Sequence, residues 1–191
     1  MFKIFLYCFI HSIIGQSLAQ YPLPENGDCD DLCKSSLSVN AKDVLGIWYV
    51  AKGTHLFVTS RCIRLNITNI DDNRNLLEKT ETIISTGKTI KTEAIMHFFG
   101  NGTYVNSYTE LEIPMRFEIF HVSDQSLALV LCRECGFFSK NGSGIFLEIL
   151  TRLPYPKCEL VDEMYSTMSG CGVPEDAMVR VDQSDCNNSC S

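Results

Sequence analysis

The sequence predicts a mostly β protein: an eight-stranded antiparallel up-and-down barrel, followed by one helix packed outside and a short final strand. Between Gly46 and Thr151, short runs rich in Ile, Val, Thr, Phe and Tyr alternate with clusters of Gly, Asn and Asp, as in strands joined by turns. Only a later segment has the apolar spacing of a helix. Short turns favour a meander, and a closed barrel of this size removes exposed edges while leaving room for one small ligand.

Turn signals delimit the predicted strands, as in Asp71-Asp72-Asn73 and Asn141-Gly142-Ser143-Gly144. The predicted strands span 46–52, 61–69, 76–84, 88–98, 103–111, 114–122, 126–132 and 145–151.

The helix is predicted from Pro156 onward, because proline is favoured in a first helical turn. Within 158–168, four apolar residues share one helical face: Leu160, Val161, Met164 and Met168. Ser169-Gly170 ends this helix, and a last strand is expected near 178–181.

Residues 1–19 read as a signal peptide that is removed on export. A basic start at Lys3 precedes an apolar run, and Ser17-Leu18-Ala19 offers the small residues of a cleavage site. The alternative, a membrane anchor, needs about 20 apolar residues, more than this interrupted run provides. We therefore expect a secreted, extracellular protein with a single domain at 20–191. Its parts are a lead-in at 20–45, the barrel at 46–152, the helix at 156–169 and a disulfide-tethered tail at 170–191.

The chain is acidic, with a formal net charge of -7. Binding to phosphate groups requires a basic face, so nucleic acid is excluded as a predicted partner, and stable membrane insertion is not expected. The negative charge favours solubility.

Cysteines and glycosylation sequons agree with export. Of ten cysteines, Cys8 lies in the predicted signal peptide, and the remaining nine are an odd number. Cysteines of a secreted chain usually form disulfides, so at least one is free or bonded to another molecule. The sequons begin at Asn66, Asn101, Asn141 and Asn187.

A glycan on Asn66 must point outward, which places Ile63, Leu65 and Ile67 inside by strand alternation. Cys62 and Arg64 then face outward. On three other strands, charged residues assigned to solvent leave the alternate residues facing inward. The inward residues are Ile90, Thr92, Ala94, Met96 and Phe98 on the fourth strand and Met115, Phe117 and Ile119 on the sixth. On the eighth strand, where Glu148 is assigned outward, they are Ile145, Leu147 and Ile149. The inner surface is predicted to be aliphatic and aromatic with little charge.

The fifth strand is ambiguous, because Tyr104, Asn106 and Tyr108 alternate with Val105, Ser107 and Thr109. If the tyrosines face inward, they supply the polar contacts that orient a ligand. The predicted ligand contacts are Ile63, Leu65, Ile67, Met96, Phe98, Tyr104, Tyr108, Phe117 and Ile119.

Four short motifs occur in a fixed order: Gly46-Ile47-Trp48-Tyr49, Arg61-Cys62-Ile63, Ala128-Leu129-Val130 before Cys132, and Asp182-Gln183-Ser184-Asp185-Cys186. In this order the chain resembles the lipocalins, in particular the branch of apolipoprotein D and the insect bilin-binding proteins. The resemblance covers most of the mature chain. It implies a carrier that holds a bilin, retinoid, sterol or fatty acid inside the barrel. It implies no reaction and no required cofactor beyond such a ligand.

The resemblance also implies roles for particular residues. Gly46 and Trp48 would form the barrel floor, with Arg152 stacked on the tryptophan in a cation–π contact. Cys62 would pair with Cys186. A second disulfide would join Cys29 to Cys132, with Cys135 as an alternative partner.

The chain departs from the family pattern in three places, one of which is a slightly longer segment between Val39-Asn40 and Gly46. Ser123-Asp124-Gln125 stands where the family often has Thr-Asp-Tyr. Four further cysteines have no family partners, so two additional local bridges of undetermined pairing are expected among Cys33, Cys158, Cys171 and Cys190.

Catalytic and metal chemistry is not predicted. Cys132-Arg133-Glu134-Cys135 has the spacing of a redox centre, but it follows a strand rather than opening a helix. A zinc site would need a second matched pair. Two alternatives to a carrier stay open. One is a disulfide-rich scaffold that binds a protein partner through its loops or an unpaired cysteine. The other is a thiol-dependent lipid isomerase, which needs a reduced cysteine such as Cys62 facing the cavity.

Overall fold

The computed structural model describes residues 21–22, 35–54, 59–100, 102–108, 115–133, 144–171, 175–184 and 186. At 21–22, 132–133 and 144–145 it describes the backbone alone. The predicted signal peptide, Cys29, Cys33, Cys135, Cys190 and the sequons at Asn101, Asn141 and Asn187 lie outside the described residues.

Ten strands are described. They are β1 Tyr21–Pro22, β2 Gly46–Thr54, β3 Ser60–Asn69, β4 Arg74–Ile83, β5 Thr89–Phe98, β6 Thr103–Tyr108, β7 Met115–Val122, β8 Ser126–Arg133, β9 Gly144–Thr151 and β10 Met178–Arg180.

Strands β2 to β9 form the barrel. Each pairs antiparallel with the next along the chain, and β9 pairs with β2, which closes the sheet. The predicted eight-stranded meander is therefore confirmed. Short β1 lies against β9, and β10 against the C-terminal end of β2, so the final strand adds to the wall from outside.

A short 3-10 helix, Ala41–Val44, precedes the barrel and covers one end of it. Its start is fixed by Asp43, whose carboxylate accepts a hydrogen bond from the Asn40 backbone N–H at 2.7 Å. Val39, Ala41 and Val44 are buried in the same apolar cluster as the barrel interior. This end of the barrel is consequently closed by apolar side chains and is its floor.

The helix α1, Cys158–Met168, packs on the outside of β7, β8 and β9. Its Val161, Met164 and Met168 form a second apolar cluster with wall residues that include Ala128 and Val130. The wall under the helix is therefore apolar on both faces. Among the described residues, no helix is long and apolar enough to cross a membrane.

The predicted orientation of β9 is wrong. Leu147 and Ile149 belong to the outer cluster beneath α1, while Leu150 lies in the inner cluster. Glu148, which alternates with them, consequently faces the barrel interior rather than solvent. Because the helix buries the outer face, both faces of β9 are apolar, and its single charged residue does not identify the solvent side.

Candidate functional site: the barrel interior

The interior wall brings the predicted ligand contacts together. Tyr108 packs against a cluster that contains the other eight as buried residues: Ile63, Leu65, Ile67, Met96, Phe98, Tyr104, Phe117 and Ile119. Their role in binding a ligand stays a prediction.

Three aromatic rings on neighbouring strands stack along this wall. The Phe98 and Tyr104 ring centroids are 5.3 Å apart, and those of Tyr104 and Phe117 are 4.9 Å apart with an interplanar angle of 5°. The rings occupy directly paired positions on β5, β6 and β7, so the strand register aligns them. They form a continuous stack of aromatic rings within the inner apolar cluster.

The ambiguity of β6 is resolved, since its tyrosines face inward. Burial raises the pKa of Tyr104 well above its ordinary value and that of Tyr108 to about 12. Both phenols therefore stay protonated near neutral pH and remain able to donate a hydrogen bond.

Asn106 lies between these tyrosines and is only 1% exposed. Its Nδ2 donates to the Tyr108 hydroxyl at 3.4 Å, but its Oδ1 has no hydrogen-bonding partner within the part of the chain that is described. A buried carbonyl oxygen left without a donor is costly.

Charged residues also face the interior, contrary to the prediction of little charge. On β4, Lys79 and Glu81 alternate with inward Leu77 and form a salt bridge of 3.2 Å. Both interact electrostatically with Glu148 of β9. Because β3 and β2 separate β4 from β9 in the wall, this interaction crosses the barrel interior.

Glu148 is half-buried, and burial is the main reason that its pKa is raised from 4.5 to about 7. Lys79 opposes this rise and Glu81 reinforces it. The carboxyl group is therefore balanced between its charged and neutral forms near neutral pH.

The sequence did not predict that these charged residues face inward, and the reason lies in the pattern of β4. In Glu78-Lys79-Thr80-Glu81, charges lie on both faces of β4, so alternation does not separate inside from outside. The outer members have their own partners: Glu78 accepts from Lys91 at 2.6 Å and from Asn66 at 3.0 Å. Leu76 and Leu77 are adjacent, so the apolar residues of β4 do not set its inner face from sequence either. Once the structure places Leu77 inside, counting in twos reaches Lys79 and Glu81.

At the floor, Trp48 is fully buried and Arg152 stacks on its ring, with Cζ 3.4 Å from the ring centroid. The guanidinium donates to the carbonyl oxygens of Ile47 at 2.9 Å and Leu45 at 2.8 Å. The Trp48 indole donates to the Val44 carbonyl at 2.8 Å. The contact implied by the resemblance is thus present, and it fixes the 3-10 helix against the barrel.

Gly46 is required by this arrangement. It has a φ of +100°, and a Cβ there would lie 2.9 Å from Arg152 Nη1. A larger residue would suffer both backbone strain and a clash with the guanidinium.

The C-terminal tail is tied to the barrel by the disulfide between Cys62 and Cys186. Cys62 has a φ of +55° at a bulge in β3, where the register shifts between Arg61 and Arg64. Nearby, buried Gln183 donates to the carbonyls of Val50 and Ile63 at 2.8 and 3.1 Å. Since Cys62 is disulfide-bonded, it is not the reduced inward thiol that an isomerase would need.

Two of the remaining cysteines, Cys171 and Cys158, differ in their bonding state. Cys171 is disulfide-bonded, while Cys158 is free and exposed at the start of α1, with Arg180 Nη2 at 3.1 Å from its sulfur. Cys158 therefore does not belong to the additional local bridges expected from the sequence. The Cys132 side chain and Cys135 lie outside the described part, so the second implied disulfide is untested.

Comparison with known proteins supports the fold. No protein-family model and no curated protein matches the sequence. Solved structures do match. Insecticyanin from the tobacco hornworm Manduca sexta has a TM-score of 0.69 at 14% identity, covering 87% of this chain and 91% of its own.

Two further structures agree. Lobster apocrustacyanin A1 has a TM-score of 0.62 at 15% identity, over 80% of this chain and 91% of its own. The bovine lipocalin allergen Bos d 2 has a TM-score of 0.55 at 15% identity, over 74% and 94%. With its closed barrel, external helix and outer strand, the chain has the lipocalin fold.

Proposed function

We propose that this protein is a secreted lipocalin that carries a small, largely apolar molecule inside the barrel. The observation that carries the proposal is the composition of the inner wall. A continuous aromatic and aliphatic surface is combined with a few polar groups, among them the unpartnered Asn106 Oδ1. This is the usual composition of a small-molecule site, in which apolar area gives affinity and sparse polar groups give orientation.

Solvent reaches the polar part of this interior. The inward side chains of Lys79 and Glu81 retain 24% and 15% of their exposure. Burying apolar ligand surface contributes about 25 cal/mol per Å², so a few hundred Å² suffice for micromolar binding after ordering costs.

Export to an oxidising compartment is part of the proposal. The disulfides at Cys62–Cys186 and at Cys171 support it, because such bonds persist mainly outside the cytosol. A glycan on Asn66 would also require export. Membership of the apolipoprotein D and bilin-binding branch rests on the sequence motifs, as do the candidate ligands: bilin, retinoid, sterol and fatty acid.

The test is a titration of Trp48 fluorescence in the oxidised, glycosylated protein with biliverdin, retinol, cholesterol and palmitate. Saturable quenching at micromolar concentration or below by one ligand is the expected result. It would also name the ligand's chemical class. No response to any of them, in protein shown to be folded by circular dichroism, would refute the carrier function.

The exposed thiol of Cys158 favours one second candidate, a barrel that forms a mixed disulfide with a protein partner. This function predicts a disulfide-linked species on non-reducing gels of the native secreted material. The species should disappear in Cys158→Ser. A single monomer band that does not change on reduction, in both wild type and Cys158→Ser, would rule this function out.

A further inference from the structure

The charged groups inside the barrel differ in whether they have a salt-bridge partner. Lys79 and Glu81 form a salt bridge with each other, so their charges largely cancel. Glu148 has neither a hydrogen bond nor a salt bridge among the described residues, and its interactions with Lys79 and Glu81 are electrostatic only. Within the part of the chain that is described, the interior therefore holds one carboxyl group that forms no salt bridge.

The strand positions beside this carboxyl group are not polar. Its directly paired neighbours are Gly53 on β2 and Leu129 on β8. Directly paired residues share a face of the sheet, and glycine adds no side chain on that side. At these two paired positions, both within the described residues, no polar side chain is available to Glu148.

A second unsatisfied acceptor points into the same interior. Asn106 Oδ1 is buried without a donor, while its Nδ2 contacts the Tyr108 hydroxyl. Tyr108 in turn interacts electrostatically with both Glu148 and Glu81. Tyr108 and Glu148 thus belong to one polar region, next to the stacked rings of Phe98, Tyr104 and Phe117.

We infer that the ligand carries a primary amine on an apolar body, with its ammonium group paired with Glu148. This inference rests on the proposed carrier function and specifies its ligand class. An ammonium group supplies a positive charge and several donors, which would offset the net negative charge of Lys79, Glu81 and Glu148 together. A carboxylate would instead bring a second negative charge toward Glu148 and Glu81.

The preference of the barrel for an amine over a neutral ligand should depend on pH. Four charged or titratable described groups face Glu148: Lys79 and Glu81 from β4, and Tyr104 and Tyr108 from β6. Because the pKa of Glu148 is about 7, its negative charge is largely developed at pH 8 and largely lost at pH 6. Amine affinity should consequently fall on acidification, while the affinity of a neutral ligand should not.

The experiment compares three probes with the same alkyl chain: decylamine, decanol and decanoate. Isothermal titration of the full-length oxidised protein at pH 8 is expected to give decylamine an affinity about tenfold or more above decanol, the size of one charge-assisted hydrogen bond. Decanoate should bind more weakly than decanol. At pH 6 the advantage of decylamine should shrink several-fold.

Glu148→Gln keeps the side-chain shape and removes the charge. This variant should lose the preference for decylamine at pH 8 while binding decanol as wild type does. Glu78→Gln, on the outer face of β4, is the matched control for overall acidity and should keep the preference.

The outcomes separate the inference from the proposed function. If decanol and decanoate bind and decylamine has no advantage, or if Glu148→Gln leaves the advantage intact, the amine inference is wrong and the carrier function survives. If none of the probes binds to folded protein, both fail. Equal loss in Glu148→Gln and Glu78→Gln would assign the preference to general surface charge and overturn the inference.

Discussion

Glu148 shows how a single inward carboxyl group affects the whole barrel. Its pKa in the folded protein is about 7, above the ordinary value of 4.5, chiefly because of burial. Below about pH 4.5 the group is protonated in both folded and unfolded states and adds no ionisation penalty. As pH rises to 7 the unfolded chain ionises first, so the folded state loses stability relative to it.

Glu148→Gln should remove this pH-dependent penalty. Relative to wild type, the variant's free energy of unfolding should increase by at most about 3 kcal/mol between pH 4.5 and 7.5, at about 1.4 kcal/mol per pKa unit. Urea unfolding of both proteins across this range measures the difference, in which the other carboxyl groups cancel. Parallel pH curves would show that Glu148 titrates normally and does not face the interior.

Arg152 combines a cation–π contact with hydrogen bonds to two carbonyls of the lead into β2. Arg152→Ala should lower the free energy of unfolding by about 2–4 kcal/mol and increase solvent access to Trp48. Arg152→Lys keeps the charge but loses the planar fork, so about half of this loss is expected.

Urea unfolding and acrylamide quenching of Trp48 check this prediction. An Arg152→Ala protein with wild-type stability and unchanged quenching would contradict the structural role of the floor pair.

At the residue scale, strand alternation and the family motifs predicted the inward faces of some strands and the residues of the barrel floor. Asn66 set the faces of β3 correctly, and Trp48 and Arg152 were identified as a pair. Glu148 was assigned to the wrong face because alternation assumes that one face is wet. That assumption fails wherever a helix covers the outer wall, and nothing in the sequence around Glu148 indicates where α1 will pack.

Element boundaries were more predictable than side-chain roles. Turn residues flank most strands, so all eight barrel strands and the helix at Cys158–Met168 were anticipated. The bulge at Cys62 was not anticipated. It depends on the disulfide to Cys186 and on Cys62 N–H donating to the Asp182 carbonyl at 2.8 Å, contacts to a distant segment that a local pattern does not contain.

The tail is an element whose attachment can be tested directly. The Cys62–Cys186 bond spans 124 positions, and closing so long a loop restricts the unfolded chain strongly. Replacing both cysteines by serine should lower the free energy of unfolding by about 2–5 kcal/mol.

The matched control is Cys158→Ser, since that thiol is free and exposed. Denaturant unfolding should place this control within about 0.5 kcal/mol of wild type, as for other surface substitutions. Equal stability of the Cys62→Ser/Cys186→Ser protein and wild type would mean that hydrogen bonds such as those of Gln183 hold the tail without the disulfide.

At the scale of the whole molecule, the barrel wall separates two apolar layers with different tasks. The outer layer, between β7–β9 and α1, is closed by the methionines of the helix. The inner layer is closed at the floor by Val39, Val44 and Trp48, and toward the polar region it retains solvent-accessible side chains. The outer layer therefore stabilises the wall, and the inner one is where the proposed ligand would lie.

Ala94 provides the most direct test that ligand and inner wall meet. It is buried on β5, paired with Leu77 and Tyr108, and a larger side chain there must enter the interior. Isothermal titration with decanol, a neutral probe, should show one site in wild type. Ala94→Phe should reduce the affinity for decanol at least about tenfold, because the larger ring would take up space in which the ligand makes apolar contacts.

Glu93→Phe places the same side chain on the outer face of β5 and should bind decanol as wild type does, with circular dichroism confirming that both variants fold. If Ala94→Phe binds decanol with unchanged affinity and stoichiometry, the ligand does not occupy the barrel, and the central claim is contradicted.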